Sequence, residues 1–213
     1  MVGQTMSARN EILKNVRQAI GEPSGAPPIT RHYIQQAPLD LDQFISRLED
    51  YNAGVFRCQT AAIAETIAAA MEQRGKSSLV IPLALPPEWL PRGTDFVPDR
   101  NLTYEQLDAS EGALTACTVA IAFTGTIILT HSAYEGRRAL TLIPDYHLCI
   151  VREDQVVQTV PEGIRKLRDF RTRPITTISG PSATADIEMT RIKGVHGPRT
   201  LDVILVRGPL ELT

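Results

Sequence analysis

A glycine-containing segment near the carboxyl terminus carries residues suited to bind a ligand. It spans residues 180–188, with the sequence GPSATADIE, and follows an apolar run. This order predicts a strand that ends in Gly-Pro-Ser and then opens a helix. Gly180, Ser182, Thr184 and free backbone amides would then lie at a helix N-terminus, where the helix dipole favours an anion. The same hydroxyls could instead only cap the helix, with Asp186 complementing its positive end.

A second glycine-framed segment, GVHGP at residues 194–198, precedes a predicted strand. Gly194 and Gly197 frame His196, whose imidazole can act as an acid, a base or a donor to an anion near neutral pH. His196 could equally fix the turn by bonding a backbone carbonyl. Asp186 and His196 are the candidate catalytic residues. No serine or cysteine at a recognisable spacing indicates a nucleophilic triad.

Two earlier segments could add polar groups to the same site. In Thr124-Gly125-Thr126, the glycine lets the backbone approach a ligand and the hydroxyls can donate or accept hydrogen bonds. A tight hairpin turn would use the same three residues. Arg138 precedes a predicted strand at residues 140–143 and could hold a carboxylate or phosphate through two parallel hydrogen bonds. It could also pair with a surface acid.

Composition and charge argue against several classes of protein. The chain is 43% hydrophobic and 22% charged with a net charge of −2, which leaves no broad basic field for nucleic acid. Cys58, Cys117 and Cys149 form no CxxC pair, so we expect no metal site and no cofactor in this chain. An odd cysteine count without a secretory signal favours the cytoplasm, and no apolar run approaches the roughly 20 residues of a membrane span.

The elements that must position these segments alternate between helices and strands. Helices are predicted to begin at Ser7, Asp40 and Thr60 and after Pro161, because each start precedes apolar residues at helical spacing. Prolines oppose regular structure over residues 21–38. The chain is therefore expected to comprise an N-terminal helix and Pro-rich arm, residues 1–38, and one α/β domain, residues 39–213.

Short apolar clusters predict about eight strands. They lie at residues 55–56, 79–81, near 121, and at 127–129, 140–143, 148–151, 175–178 and 203–206. The early strands alternate with helices, which favours a parallel sheet, whereas the later ones crowd together, which favours some antiparallel pairing. The predicted fold class is α/β, a mixed sheet flanked by helices with an N-terminal helical arm. The lone Trp89, in a proline-rich loop, is expected to pack that loop.

Taken together, the segments closely resemble the LUD-domain family. The match is carried by FTGT at 123–126, RRALTLIPDYH at 137–147, GPSATADIE at 180–188 and GVHGPR at 194–199. It is strong over the C-terminal half, and ARNEIL at residues 8–13 is similar to the family's usual opening. The resemblance implies the sugar-isomerase and CoA-transferase-like (NagB/RpiA/CoA transferase-like) α/β fold.

The resemblance also implies a function. Members of the family act with partner subunits that carry iron–sulfur clusters, in the oxidation of L-lactate to pyruvate. We therefore expect a cluster-free subunit or accessory factor of an L-lactate dehydrogenase (oxidising) system. Residues 180–186 and 194–198 would form a pocket for a small anion, with Arg138 and His196 as its charged members. The residues leave open whether the chain is catalytic by itself and whether it forms a homo-oligomer.

The alternative is a free-standing isomerase or an acyl- or CoA-transfer enzyme that binds a phosphorylated or CoA ligand in the same pocket. One departure from the family bears on this alternative. Many relatives have an acid before Thr-Gly-Thr, whereas this chain has Phe123. A carboxylate nucleophile like that of the CoA transferases therefore lacks its obvious candidate.

Overall fold

The computed structural model describes residues 8–21, 33–185, 191–193 and 197–208. Contacts divide the chain into two units, Met1–Tyr33 and Ile34–Thr213, and the predicted end of the arm at residue 38 stays a prediction. In the first unit, α1 (Ala8–Ile20) confirms the predicted N-terminal helix. Gly21 follows it with φ 68°, as expected of a residue that ends a helix. The predicted cap, Ser7, lies outside the described residues.

The second unit contains four helices and twelve strands in the part of the chain that the structure describes. The helices are α2 (Leu41–Asp50), α3 (Ile63–Gln73), α4 (Tyr104–Asp108) and α5 (Val160–Lys166). The strands are β1 (Gly54–Gln59), β2 (Ser78–Ile81), β3 (Asp95–Pro98), β4 (Ala113–Ala116), β5 (Val119–Ile121), β6 (Thr126–Leu129), β7 (Tyr146–Arg152), β8 (Val156–Val157), β9 (Thr176–Ile178), β10 (Ala183–Ala185), β11 (Arg191–Lys193) and β12 (Thr200–Arg207).

The main sheet has six strands in the order β1-β12-β7-β4-β2-β3, and every neighbouring pair is parallel. Its central strands are apolar along nearly their whole length because both of their faces are covered. In β7, Tyr146, Leu148 and Ile150 pack on the side of α3 and the buried Trp89. Cys149 and Val151 pack on the opposite side with α2. The α/β class and the packing role of Trp89 are thereby confirmed.

A smaller sheet, in the order β8-β5-β6-β9, stacks on that opposite side and supplies the predicted antiparallel pairs. Its Ala120, Ile127 and Leu129 share a core with the main sheet. On its outer face, Ile121 and Ile128 pack with Leu167, just after α5. These antiparallel pairs thus lie in a second layer and not at an edge of the main sheet.

Several predicted helix starts agree with the structure. The backbone N–H of Gln43 donates to the Asp40 carboxylate at 2.9 Å, so Asp40 caps α2 as expected. At Thr60 the chain first makes a short 3-10 turn, and α3 begins at Ile63. The helix predicted after Pro161 is α5, which Thr159 caps through the backbone N–H of Glu162.

Two predicted elements are wrong. Residues 140–143, predicted as a strand, form no strand. Leu140 and Thr141 belong to the 3-10 turn Arg138–Thr141, and Leu140 is buried there against Val80 of β2 and Leu107 of α4. A run of four apolar residues is too short for its periodicity to separate a strand from a buried turn. The predicted helix after Gly180 is also wrong over Ala183–Ala185, where β10 pairs with β11. Residues 186–190 of that predicted helix lie outside the described residues.

One buried carboxylate, that of Asp202 near the amino end of β12, contacts residues at the amino ends of two further strands. The Asp202 carboxylate is fully buried in β12 and accepts hydrogen bonds from Nε and Nη2 of Arg74, at 2.8 and 2.6 Å. It also accepts one from the Tyr146 hydroxyl at 3.0 Å, and burial raises the pKa of Tyr146. A Cβ on Gly54 would come within 2.2 Å of Asp202 Oδ1, so only glycine leaves room for the carboxylate.

Removing Arg74, the positive partner of Asp202, should therefore lower the free energy of unfolding substantially. Arg74→Met would leave the Asp202 carboxylate buried with the Tyr146 hydroxyl as its one remaining partner among the described residues. We expect a loss of about 3 kcal/mol in the free energy of unfolding. Urea denaturation measures this loss. The matched control is Arg199→Met, which removes an exposed pair with Asp145 and should change stability much less. Equal losses in the two variants would contradict this role of Asp202.

Candidate functional site

A cavity of about 250 Å³ opens at the amino ends of β7 and β12, between the main sheet and β9. Among the described residues, its walls combine hydroxyl groups, one imidazole, glycine and proline backbone, and three aliphatic side chains. They are Thr141, Leu142, His147, Thr176, Thr177, Ile178, Ser179, Gly180, Pro181, Ser182, Gly197, Pro198 and Leu201. The cavity is slightly smaller than the usual small-molecule site, which has a volume of about 300 Å³ or more.

The structure brings together the two glycine-containing segments singled out in the sequence. Gly180, Ser182 and Gly197 all line the cavity, and the backbone N–H of Ser182 donates to the Pro198 carbonyl at 2.8 Å. Thr184 lies in β10. Asp186, Gly194 and His196 lie outside the described residues, so their roles in binding or catalysis stay predictions.

Gly180 has a structural reason to be glycine. It adopts φ 83°, and a Cβ at this position would come within 2.4 Å of the Tyr51 Cβ, just after α2. The residue therefore lets the cavity loop pack directly against the end of that helix. This contact places the Gly-Pro-Ser backbone at the cavity wall without any helix N-terminus.

The Thr124-Gly125-Thr126 segment lies at the turn between β5 and β6, which confirms its interpretation as a hairpin turn. Gly125 has φ 60°, and a Cβ there would come within 2.6 Å of the Arg47 Cβ. The hydroxyls of Thr124 and Thr126 bond each other at 2.7 Å, and that of Thr126 bonds Ser179 Oγ at 2.8 Å. These threonines therefore support a residue of the cavity wall, and their own contact with a ligand stays a prediction.

Arg138 begins the 3-10 turn before β7, and its side chain is exposed. It is not among the described residues that line the cavity. Its neighbour Arg137 makes the structural ion pair instead, with Nε 2.7 Å from Oδ2 of Asp99. A ligand role for Arg138 stays a prediction.

His147 ends the segment at 137–147 but was not predicted as a site residue. It is 1% exposed in β7 yet lines the cavity, and its Nε2 lies 2.8 Å from Thr115 Oγ1 in the adjacent β4. Burial lowers its pKa to about 4, so the ring is neutral at physiological pH. The available signal was a histidine inside a run that is otherwise apolar, since polar residues in such strands need a partner.

A second histidine supports the cavity wall from behind. His131 adopts φ 55°, a left-handed conformation that is uncommon outside glycine. Its Nδ1 lies 3.1 Å from the Gly136 carbonyl oxygen, and its Nε2 lies 2.9 Å from Thr176 Oγ1. His131 thereby orients a hydroxyl of the cavity.

These groups suit a small organic ligand with both polar and apolar parts. Hydroxyls and an imidazole can bind oxygen atoms, while Leu142, Ile178 and Leu201 can contact a short alkyl group. Among the residues that the structure describes, no cluster of histidine, cysteine and carboxylate side chains could hold a metal ion. Within the same residues, no helix has the length and apolar character needed to cross a membrane.

Comparison with known proteins gives consistent matches. The family model of the LUD domain matches residues 41–206. "Lactate utilization protein C" of Deinococcus radiodurans is 43% identical over 214 residues, which cover 96% of this chain and 98% of that protein. "Uncharacterized protein YkgG" of Escherichia coli K12 is 29% identical, over 91% of this chain and 95% of that protein. A crystal structure of a DUF162 family protein from Deinococcus radiodurans superposes with a TM-score of 0.69 at 42% identity, over 79% of this chain and 99% of that one.

The neutral, buried His147 predicts a specific dependence of stability on pH. Its folded pKa of about 4 lies below the unfolded value of about 6.5, so the unfolded chain binds more protons between these pH values. The free energy of unfolding should therefore fall by about 3 kcal/mol from this group as the pH drops through that window.

Urea unfolding between pH 7 and pH 4.5 tests this expectation. His147→Gln should lose less stability than the original protein as the pH falls. The same slope in His147→Gln and in the original protein would contradict a neutral, buried His147.

Proposed function

Because the chain belongs to the LUD-domain family, we propose that it takes part in lactate utilisation. The observation that carries this proposal is the match to the Deinococcus radiodurans protein named lactate utilization protein C, 43% identical over nearly the full length of both chains. We further propose that the chain is a cytoplasmic, cluster-free subunit or accessory factor of an iron–sulfur system that oxidises L-lactate to pyruvate.

The cysteines support the placement of the clusters on partner subunits. Cys117 and Cys149 are buried in the core, and Cys58 is partly buried in β1. Burial raises the pKa of Cys58, and the pKa of Cys117 is raised by its contact with Cys149 and by burial. Raised pKa values keep these thiols protonated, whereas iron binds thiolates. Electrons from lactate would then move on the partner subunits.

The cavity supports a binding role for this chain within such a system. Its volume of about 250 Å³ suits a molecule of a few carbon atoms. The Gly180 and Gly197 segments meet at its wall and offer backbone and hydroxyl groups to a carboxylate. The small carboxylate bound there would be the substrate or the product of lactate oxidation.

Deletion and complementation in the organism that encodes the chain test the proposed function. Deleting the gene should abolish growth on L-lactate and leave growth on pyruvate unchanged, and the original gene should restore growth. Ser182→Ala and His196→Ala test the pocket, and at unchanged protein levels at least one of them should impair growth on L-lactate. Normal growth of the deletion strain on L-lactate would overturn the proposal, and normal growth of both variants would overturn the role of the pocket.

Purification tests the proposed partners. The native protein, isolated without oxygen from lactate-grown cells, should elute with iron–sulfur subunits and with lactate-oxidising activity. An iron-free chain that elutes alone and turns over phosphorylated sugars or CoA esters would overturn the subunit role and favour an independent enzyme.

A further inference from the structure

The hydrogen-bond network around His147 determines which of its nitrogens carries the proton. Thr115 is fully buried in β4, and the only partner of its hydroxyl among the described residues is Nε2 of His147, at 2.8 Å. A buried hydroxyl hydrogen without an acceptor is unfavourable, so the Thr115 hydroxyl donates to Nε2. A neutral imidazole has a single N–H, which must then lie on Nδ1.

That N–H is available to a ligand. No described residue forms a hydrogen bond with Nδ1 of His147. Every fully buried side-chain nitrogen or oxygen atom of the described residues does have a partner, so Nδ1 is not fully buried. Nδ1 is therefore accessible, and the space next to His147 is the cavity that it lines. The cavity thus contains a fixed hydrogen-bond donor, preoriented from behind by Thr115.

Thr176 supplies the complementary acceptor. The Gly136 carbonyl can only accept, so Nδ1 of His131 donates to it. In the ring form with a single N–H, Nε2 then accepts from the Thr176 hydroxyl at 2.9 Å. The hydroxyl hydrogen of Thr176 is then occupied, and its oxygen lone pairs remain for a ligand. Since Thr176 also lines the cavity, a ligand donor can bind there.

We infer that the cavity binds a short 2-hydroxy carboxylic acid. Its carboxylate accepts a hydrogen bond from Nδ1 of His147, its hydroxyl donates to Oγ1 of Thr176, and its alkyl group contacts aliphatic side chains such as Leu142 and Leu201. The inference deepens the proposed function and rests on it for the choice of this acid class. His147 is a ligand-binding residue, and Thr115 and His131 are positioning residues.

The protonated nitrogen of His147 is the first measurement. Two-bond proton–nitrogen spectra of the full-length protein, labelled with ¹⁵N-histidine, distinguish the two neutral forms, and His147→Gln identifies the signal. We expect the Nδ1–H form. Thr115→Val removes the donor to Nε2 and should bring in the Nε2–H form, which a purely structural role of Thr115 would not predict. A free protein with the Nε2–H form would overturn the inference.

Calorimetric titration of the full-length protein tests the ligand class with L-lactate, pyruvate and inorganic phosphate. L-Lactate should bind, pyruvate should bind about tenfold more weakly because it has no hydroxyl to donate, and phosphate should not bind. His147→Gln should weaken L-lactate binding at least tenfold. Cys149→Ala is the matched control, because Cys149 is buried two residues along the same face of β7 and does not line the cavity.

The two proposals fail in different ways. If the gene is needed for growth on L-lactate but the protein binds none of it, the ligand assignment is wrong and the proposed function stands. If the protein binds L-lactate but the gene is dispensable for growth on it, the proposed function is wrong. Equal binding of L-lactate and pyruvate would overturn the role of Thr176, and preferential binding of phosphate would overturn the acid class.

Discussion

The buried Asp202 carboxylate holds the amino ends of the central strands in register. It receives the Arg74 guanidinium from the end of α3 and the Tyr146 hydroxyl from the first residue of β7, and it lies against Gly54 of β1. A buried carboxylate requires all of its partners to be in place, because an unpaired charge in the core is strongly unfavourable. The relative positions of β1, β7 and β12 are therefore determined at this end of the sheet.

The same register positions the cavity on the other face. Successive residues of a strand point to opposite sides, so Tyr146 faces Asp202 while His147 faces away from it. In β12, Asp202 and its neighbour Leu201 alternate in the same way, and Leu201 lines the cavity together with His147. The ion pair on one face of the sheet thus fixes the strand backbone that carries the cavity-lining groups on the other face.

The location of the cavity follows from the second layer. In open parallel sheets, ligands usually bind beyond the carboxyl ends of the strands. Here the smaller sheet covers one face of the main sheet, and its β9 brings Thr176 and the loop after it towards the amino ends of β7 and β12. The hydroxyl-rich wall comes from this second layer, and the imidazole comes from the first. Neither layer alone forms the site.

Elements with local signals could be predicted from the sequence. Asp40 marks the start of α2 through a cap within one turn, and continuous apolar runs mark the central strands, because burial of both faces needs them. The glycine-containing segments at 180–186 and 194–198 were also predicted to meet, and Gly180 and Gly197 do share a cavity. The family-specific segments supplied the expectation of lactate utilisation.

Features that depend on distant partners could not be predicted from local sequence patterns. Ala183–Ala185 is a strand because β11 pairs with it, and Leu140 lies in a buried turn because α4 and β2 supply its neighbours. His147 was missed because its significance comes from Thr115, 32 residues earlier in the chain, and from a cavity closed by β9. Local sequence patterns determine propensity and capping. Long-range pairing and burial are properties of the folded chain, and they decide which side chains line the cavity.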